Sequence, residues 1–218
     1  MSPSAARAPR ERMRFPGVRA PKPLLAPEAE RKLTERQRQV LDELDGLVVS
    51  EGMAELTMAE IAAEVNCSLR TLYELSPSKD ELLLTIVDRR LHRIGRKAHD
   101  ALDTSLPALD ALRAYLQAAH EAVQPTTASF ALEFADLPGA KRLLDAHEGH
   151  VIAVTQSLLD RAVAEAEIPA VDTASVAHVL GGLGREFARP DVAEVAKASP
   201  KATADALAEI LLRGLEAG

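Results

Sequence analysis

Residues 57–81 read TMAEIAAEVNCSLRTLYELSPSKDE, a pattern that predicts two short helices joined by a tight turn and followed by a third helix. Thr57 and Glu60 have the spacing of a capping box, in which a hydroxyl and a carboxylate each satisfy a free amide at a helix start. Asn66 tolerates the left-handed backbone conformation that often ends a helix, and Ser68 is a suitable N-cap for the next one. The predicted helices are Met58–Val65 and Leu69–Leu75.

The third helix of this stretch is predicted to begin at Lys79. Proline disfavours a helical residue before it, so Ser76-Pro77 ends the second helix, and Ser78 with Glu81 forms another capping box. The order of helix, short turn and second short helix is one that lets the second helix enter a DNA major groove, although a plain helical hairpin has the same spacing. Leu72 is expected to point inward, and the predicted outward residues are Leu69, Arg70, Thr71, Tyr73 and Glu74.

The same block carries a family pattern. In order it contains Thr57, Ile61-Ala62, Val65-x-Cys67-Ser68-x-x-Thr71-Leu72-Tyr73 and Pro77-Ser78-Lys79-x-x-Leu82. Over about residues 34–90 the chain thereby resembles the DNA-binding domain of TetR/AcrR-type transcriptional repressors. The resemblance implies an all-α dimer, with an N-terminal three-helix helix-turn-helix domain and a C-terminal helical domain for dimerisation and effector binding.

The resemblance also assigns roles to single residues. Thr57, Tyr73 and Lys79 match positions that touch DNA phosphates, and Leu69, Arg70 and Thr71 match positions close to the bases. The complete set of predicted DNA-binding residues is Thr57, Ser68, Leu69, Arg70, Thr71, Tyr73 and Lys79. We therefore expect a sequence-specific regulator, a dimeric repressor that a small-molecule effector releases from its double-stranded DNA operator.

Three residues depart from the family pattern. The family usually has a phenylalanine soon after the tyrosine, whereas this chain continues with Glu74, Leu75 and Ser76. A carboxylate near phosphates is repulsive, so Glu74 weakens the predicted DNA contact. The alternative hypothesis is a helical protein-binding adaptor that no longer reads DNA.

Composition narrows the class of protein. The chain has 218 residues and a net charge of -7, and hydrophobic residues make up 47% but aromatic residues only 3%. Residues 1–40 hold ten basic and four acidic side chains, which places a basic end on an acidic body. A single cysteine, Cys67, excludes an intramolecular disulfide and is typical of a reducing compartment. Without an apolar run of membrane-spanning length, the predicted location is cytoplasmic.

Charge, prolines and helical spacing predict four regions. They are a disordered, basic tail rich in Pro and Arg (1–33), the helix-turn-helix domain (34–78), a connecting helix (79–103) and an effector-binding and dimerisation domain (104–218). Prolines are predicted to keep residues 1–32 from forming a helix. The tail arginines favour either a DNA-contacting arm or a solvated tail; they are Arg7, Arg10, Arg12, Arg14 and Arg19.

The predicted C-terminal domain contains several helices at apolar spacing. They are expected at 107–124, 140–167, 172–188 and 203–215. The helix at 172–188 contains Gly181, Gly182 and Gly184, each of which costs a helix interior up to about 1 kcal/mol. Close approach of a partner helix offsets such a cost, and a local kink is the alternative. By the family resemblance, the last two long helices form the dimer interface.

No catalytic or cofactor motif is present, so we expect no enzyme and no cofactor. His147 and His150 share a helix face, but zinc needs three or four ligands and no other cluster in the sequence supplies them. We therefore predict no metal, and an enzyme that uses these two histidines is a third hypothesis. The candidate effector-binding residues are Tyr115, His120, Phe130, Glu133, Phe134, His147, His150, Gln156 and Phe187.

Overall fold

The structure is a computed structural model that describes residues 13, 15–50, 52–53, 55–123, 134–193, 195 and 197–218. These residues are mainly helical, and none of them lies in a strand, which confirms the predicted all-α class. The helices are α1 (Pro27–Lys32), α2 (Glu35–Ser50), α3 (Met58–Glu64), α4 (Leu69–Leu75), α5 (Lys79–Asp100), α6 (Ala108–Ala119), α7 (Ala140–Ala164), α8 (Thr173–Ala188), α9 (Pro190–Ala193) and α10 (Pro200–Ala217), with a 3-10 turn at His120–Val123 and helical residues at 134–136.

Polar caps fix the helix starts of the N-terminal half. The Thr57–Glu60 capping box is fully formed, because the Glu60 amide donates to the threonine hydroxyl and the glutamate carboxylate accepts from the Thr57 amide. Thr34 and Gln37 exchange the corresponding two hydrogen bonds ahead of α2. The Ser78 hydroxyl accepts from the amide of Glu81 and starts α5. The caps at Thr57 and Ser78 confirm the predicted starts of α3 and α5.

Two hydrophobic clusters form the core. The first gathers buried side chains of α2, α3, α4 and the start of α5, together with Phe134 and Leu143. The second lies among α6, α7, α8 and α10, and the far part of α5 reaches it through Ala98. Since α5 contributes to both clusters, any tilt of this helix must move the helix-turn-helix relative to the C-terminal helices. None of the described helices is long and apolar enough to cross a membrane.

A glycine brings α7 and α8 close together. A Cβ atom built on Gly181 would lie 2.7 Å from Ile152 Cγ1 and 3.1 Å from both the Cα and the N of Ile152. The predicted close approach is therefore real, but the neighbour is α7 of the same chain. Gly182 is less constrained, because its Cβ would meet only Glu148 Oε1, at 3.5 Å.

The segment before α2 differs from the prediction in one respect. Residues 1–32 were expected to form no helix, yet α1 covers Pro27–Lys32. The expectation is wrong at this point because proline at the first helical position loses no hydrogen bond and already has a helical φ. Upstream of α1, the apolar side chains of Met13, Phe15 and Val18 pack against the C-terminal core cluster. Arg7, Arg10, Arg12 and Arg14 lie outside the described residues.

Other helix ends differ from the predictions by a few residues. The chain after Ala119 continues as a 3-10 turn, and Gln124, the predicted end of this helix, lies outside the described residues. α7 ends at Ala164, where Ala166 adopts a left-handed φ of 57°. The carboxylate of Glu167 then accepts from the amides of Ala108 at 2.7 Å and Leu109 at 3.0 Å, and so caps the start of α6.

Candidate nucleic-acid interface

The turn between α3 and α4 is held by backbone hydrogen bonds. The Cys67 amide donates to the Ala62 carbonyl at 2.8 Å and the Asn66 amide donates to the Ala63 carbonyl at 3.1 Å. Asn66 has a φ of 45°, so the turn has the two hydrogen bonds and the left-handed residue of a Schellman motif. The predicted role of Asn66 as a helix-ending residue is therefore confirmed, and the angle between α3 and α4 is fixed locally.

An arginine of α2 stabilises the same turn from outside. The Arg36 Nη2 atom donates to the carbonyls of Val65 at 3.0 Å and Asn66 at 2.9 Å, and its Nη1 atom contacts Glu43 at 3.2 Å. These carbonyls belong to the end of α3, where helix carbonyls lack partners and a cation is favourable. Sequence reasoning missed Arg36, because its partners lie 29 and 30 residues away.

α4 presents an exposed face at the surface. The Ser68 hydroxyl accepts from the Thr71 amide at 3.0 Å and caps the helix, as predicted. Leu72 is fully buried and anchors α4 to the core, whereas Leu69 and Tyr73 are 40% and 52% exposed. The Arg70 side chain is 88% exposed. The predicted inward and outward faces of α4 are thus confirmed, with Thr71 half-buried.

Several predicted DNA-binding side chains have partners within the protein. Arg70 Nε donates to Glu74 Oε1 at 3.0 Å. The hydroxyls of Ser68 and Thr71 lie 2.8 Å apart, and the Thr57 hydroxyl donates to Glu60 Oε2 at 2.7 Å. Hydrogen bonds from Thr57 lower the pKa of Glu60, so this carboxylate is charged beside the helix start. DNA contacts by these groups would replace internal hydrogen bonds.

The charge around α4 is acidic. Residues 55–81 contain two basic side chains, Arg70 and Lys79, and six acidic ones. Lys79 is half-buried at the first position of α5. With two cations, residues 55–81 can neutralise few phosphates, so their own contribution to DNA affinity should depend only weakly on salt.

The candidate effector-binding residues do not form one group. Tyr115 is buried in the C-terminal core, where burial raises the pKa of its hydroxyl, while Phe134 belongs to the N-terminal core cluster. His120 is buried and pairs with Asp205 through Nδ1 at 2.7 Å. Gln156 and Phe187 are half-buried, and Phe130 and Glu133 lie outside the described residues.

Four histidines line one cavity between α5 and α7. The cavity has a volume of about 280 Å³, and the residues around it include His92, His99, His147 and His150. The His150 Nδ1 atom donates to the Arg19 carbonyl at 3.2 Å, and its Nε2 atom lies 3.0 Å from Nε2 of His99. Burial, and then the neighbouring His99, lower the pKa of His150, which favours its neutral form.

Asp88 of α5 is the buried acid beside this cavity, and it is 2% exposed. Its Oδ2 atom accepts from the Leu24 amide at 2.8 Å, and its Oδ1 atom lies 3.1 Å from His147 Nε2 and 3.5 Å from His92 Nε2. We expected no metal because the sequence showed too few ligands near His147, and this reason no longer holds. The four-residue spacing of Asp88 and His92 on one helix could have indicated two of the ligands. The sequence does not show that Asp88 lies beside His147, because the two residues are 59 positions apart.

Comparisons with known proteins agree with this architecture. No protein-family model matches the chain. A TetR transcription regulator from Haloarcula marismortui superposes with a TM-score of 0.69 at 20% identity, over 84% of this chain and 99% of that one. A tetR-family regulatory protein from Rhodococcus gives 0.61 at 17% identity, over 84% and 98%. The TetR-family regulator PfmR from Thermus thermophilus gives 0.58 at 21% identity, over 82% and 99%.

The chain therefore has the fold of TetR-family transcriptional regulators, and the resemblance first carried by residues 57–82 is confirmed for the fold as a whole. A curated relative, the nucleoid occlusion factor SlmA of Pasteurella multocida, is 44% identical over 59 residues. That match spans 27% of this chain and 30% of the relative. The individual DNA contacts and effector contacts stay predictions.

Proposed function

We propose that the protein is a dimeric, sequence-specific DNA-binding regulator of transcription, a repressor that a small-molecule effector releases from its operator. The observation that carries the proposal is the exposed face of α4. Ser68 caps this helix, and Arg36 holds the turn that precedes it. A recognition helix needs this combination, because base contacts require exposed side chains on a rigid support. An enzymatic role has no comparable support among the described residues.

The proposed dimer uses the last two long helices. α8 exposes Val179 at 52%, and α10 exposes Ile210 at 64% and Leu211 at 39%. These apolar side chains belong to helices that pack against each other within the chain. Pairing with a second copy would cover them, and a two-fold dimer would place its two recognition helices about 34–36 Å apart on successive major grooves.

Effector release is proposed to act through α5. Its first residues support the helix-turn-helix, while its later residues line the histidine cavity. An effector that binds one tilt of α5 more tightly than another would change the separation of the two α4 helices. The shift in DNA affinity is limited to the difference between those two effector affinities.

The experiment is a binding measurement on operator DNA. Selection from a random DNA pool supplies the operator, and fluorescence anisotropy then compares operator with random DNA at several salt concentrations. Arg70→Ala should weaken the free energy of binding to the operator by about 1–3 kcal/mol and that to random DNA by much less, because it removes a base contact. Lys79→Ala should weaken both DNAs similarly and reduce the salt dependence.

Two further variants sharpen this test. Arg161→Ala is the matched control, since Arg161 also pairs with a glutamate four residues away, but on α7. It should bind DNA like the wild type. Glu74→Gln should tighten binding severalfold, because it frees Arg70 and removes a carboxylate from the interface. Equal losses on both DNAs for Arg70→Ala, or no enrichment of any sequence, would contradict the assignment.

The acidic surroundings of α4 favour one second candidate, a protein-binding adaptor. Arg70 is already paired with Glu74, and acidic residues outnumber basic ones around it. An adaptor would show no DNA binding at low salt, even for Glu74→Gln. The same DNA titrations therefore decide between the two candidates.

A further inference from the structure

Three side chains from two helices meet at the histidine cavity. Asp88 and His92 lie one turn apart on α5, and His147 comes from α7. One nitrogen or oxygen atom from each residue lies within 4.8 Å of the others. The Asp88 Oδ1 atom is 3.1 Å from His147 Nε2 and 3.5 Å from His92 Nε2. These three atoms are therefore close enough together to share one ion.

We propose that Asp88, His92 and His147 bind a divalent transition-metal ion of the zinc class. A tetrahedral zinc ion with ligands about 2.0–2.2 Å away holds its ligand atoms roughly 3.3–3.6 Å apart. The two separations at Asp88 Oδ1 are close to this spacing. Two imidazoles and one carboxylate suit zinc and its neighbours, whereas magnesium and calcium prefer oxygen ligands alone.

The surroundings of the three residues support a ligand role. His92 Nε2 is buried and has no hydrogen-bond partner, although a buried polar atom normally has one. The Leu24 amide holds the Asp88 carboxylate through Oδ2, which leaves Oδ1 for the ion. Such a hydrogen bond from outside the coordination sphere orients a metal-binding carboxylate. The His147 Nε2 atom would exchange its contact with Asp88 for the metal.

The fourth coordination position would open toward the cavity. Three protein ligands leave room for water or a small anionic ligand, as in zinc sites with an open position. His99 and His150 line the same cavity, so its wall is rich in imidazole. Arg96, also at the wall, is a cation that opposes metal binding, and Arg89 and Arg93 line an adjoining pocket with Asp88 and His92.

A bound ion would tie α5 to α7. Two of its ligands come from the helix that supports the helix-turn-helix and one from the C-terminal core. The metal site does not rest on the proposed function, although a regulatory role for the ion does. Zinc binding measured without DNA tests the site, and DNA binding measured in chelator tests the proposed function, so their failures are distinguishable.

The test uses the full-length chain, freed of any polyhistidine tag and treated with chelator. Isothermal titration calorimetry with zinc chloride should show one ion per chain, and magnesium chloride should show none. His92→Ala and His147→Ala should each bind zinc at least tenfold more weakly. His178→Ala is the matched control, because His178 is an exposed histidine on α8, and its zinc affinity should stay within twofold of the wild type.

A spectroscopic variant keeps the proposal testable if an alanine variant does not fold. Loaded with Co²⁺, His147→Cys should show a thiolate-to-cobalt charge-transfer band that the wild type, with Cys67 alone, lacks. The proposal is overturned if the wild type binds zinc no better than magnesium. It is equally overturned if His92→Ala and His147→Ala bind zinc as tightly as His178→Ala does, or if folded His147→Cys shows no such band.

Discussion

Gly181→Ala tests the close approach of α7 and α8. In an exposed helix interior, replacing glycine with alanine stabilises by up to about 1 kcal/mol. At Gly181 the new methyl group would lie 2.7 Å from Ile152 Cγ1 and 3.1 Å from the Cα and N atoms of the same residue. A side chain can rotate away, but two of these three atoms belong to the backbone, so α7 itself must move.

The expected magnitude follows from these two opposing effects. Overpacking a tight contact costs about 1–3 kcal/mol, and a backbone contact belongs to the upper part of that range. Subtracting the gain in helix propensity leaves a net loss of about 1–2 kcal/mol. For a chain of this size the midpoint of thermal unfolding should fall by about 2–8 °C.

The assay is thermal and urea denaturation followed by circular dichroism, at one fixed protein concentration because a dimer would make stability concentration-dependent. Gly149→Ala is the matched control, since Gly149 lies within α7 and nothing lies within 4 Å of its Cβ position. It should be as stable as the wild type or slightly more stable. The reasoning is refuted if Gly181→Ala does not lose stability, or if Gly149→Ala loses as much.

Two further predictions concern stability. Glu167→Ala should cost about 1–2 kcal/mol in urea unfolding, because two amides at the start of α6 lose their carboxylate. Glu165→Ala, which breaks the exposed ion pair with Arg161, should cost less than half as much. Burial lowers the pKa of His120, so the unfolded chain takes up that proton first, and stability should fall as the pH drops through about 6.5 toward the lower folded pKa. His120→Gln should reduce this pH dependence of the unfolding free energy.

The local parts of the fold were predictable because their causes are local. Thr57, Ser68 and Ser78 each cap a helix through an amide three residues ahead, so the starts of α3, α4 and α5 follow from short spacings. The left-handed turn at Asn66 follows in the same way. The buried Leu72 and the exposed Arg70 follow from the helical period.

The remaining features depend on contacts between distant residues. Asp88 meets His147 only because α5 and α7 pack together, and a sequence shows the spacing within one helix but not the neighbour across the cavity. The candidate effector residues likewise do not lie together, because Tyr115 and Phe134 belong to different core clusters, which the sequence alone does not show. The sequence predicted that a helix approaches Gly181 closely, but it did not predict that Ile152 of α7 is the neighbour.

The segment between Met13 and Leu24 has a practical consequence for the design of shortened versions of this protein. Its apolar side chains rest on the C-terminal helices, its Arg19 carbonyl holds His150, and its Leu24 amide holds Asp88. A version cut back to the beginning of α2 would leave that acid without its amide donor and would admit water to the imidazoles. Measurements on such a shortened protein would therefore describe a molecule with an altered histidine cavity, even if its helix-turn-helix were intact.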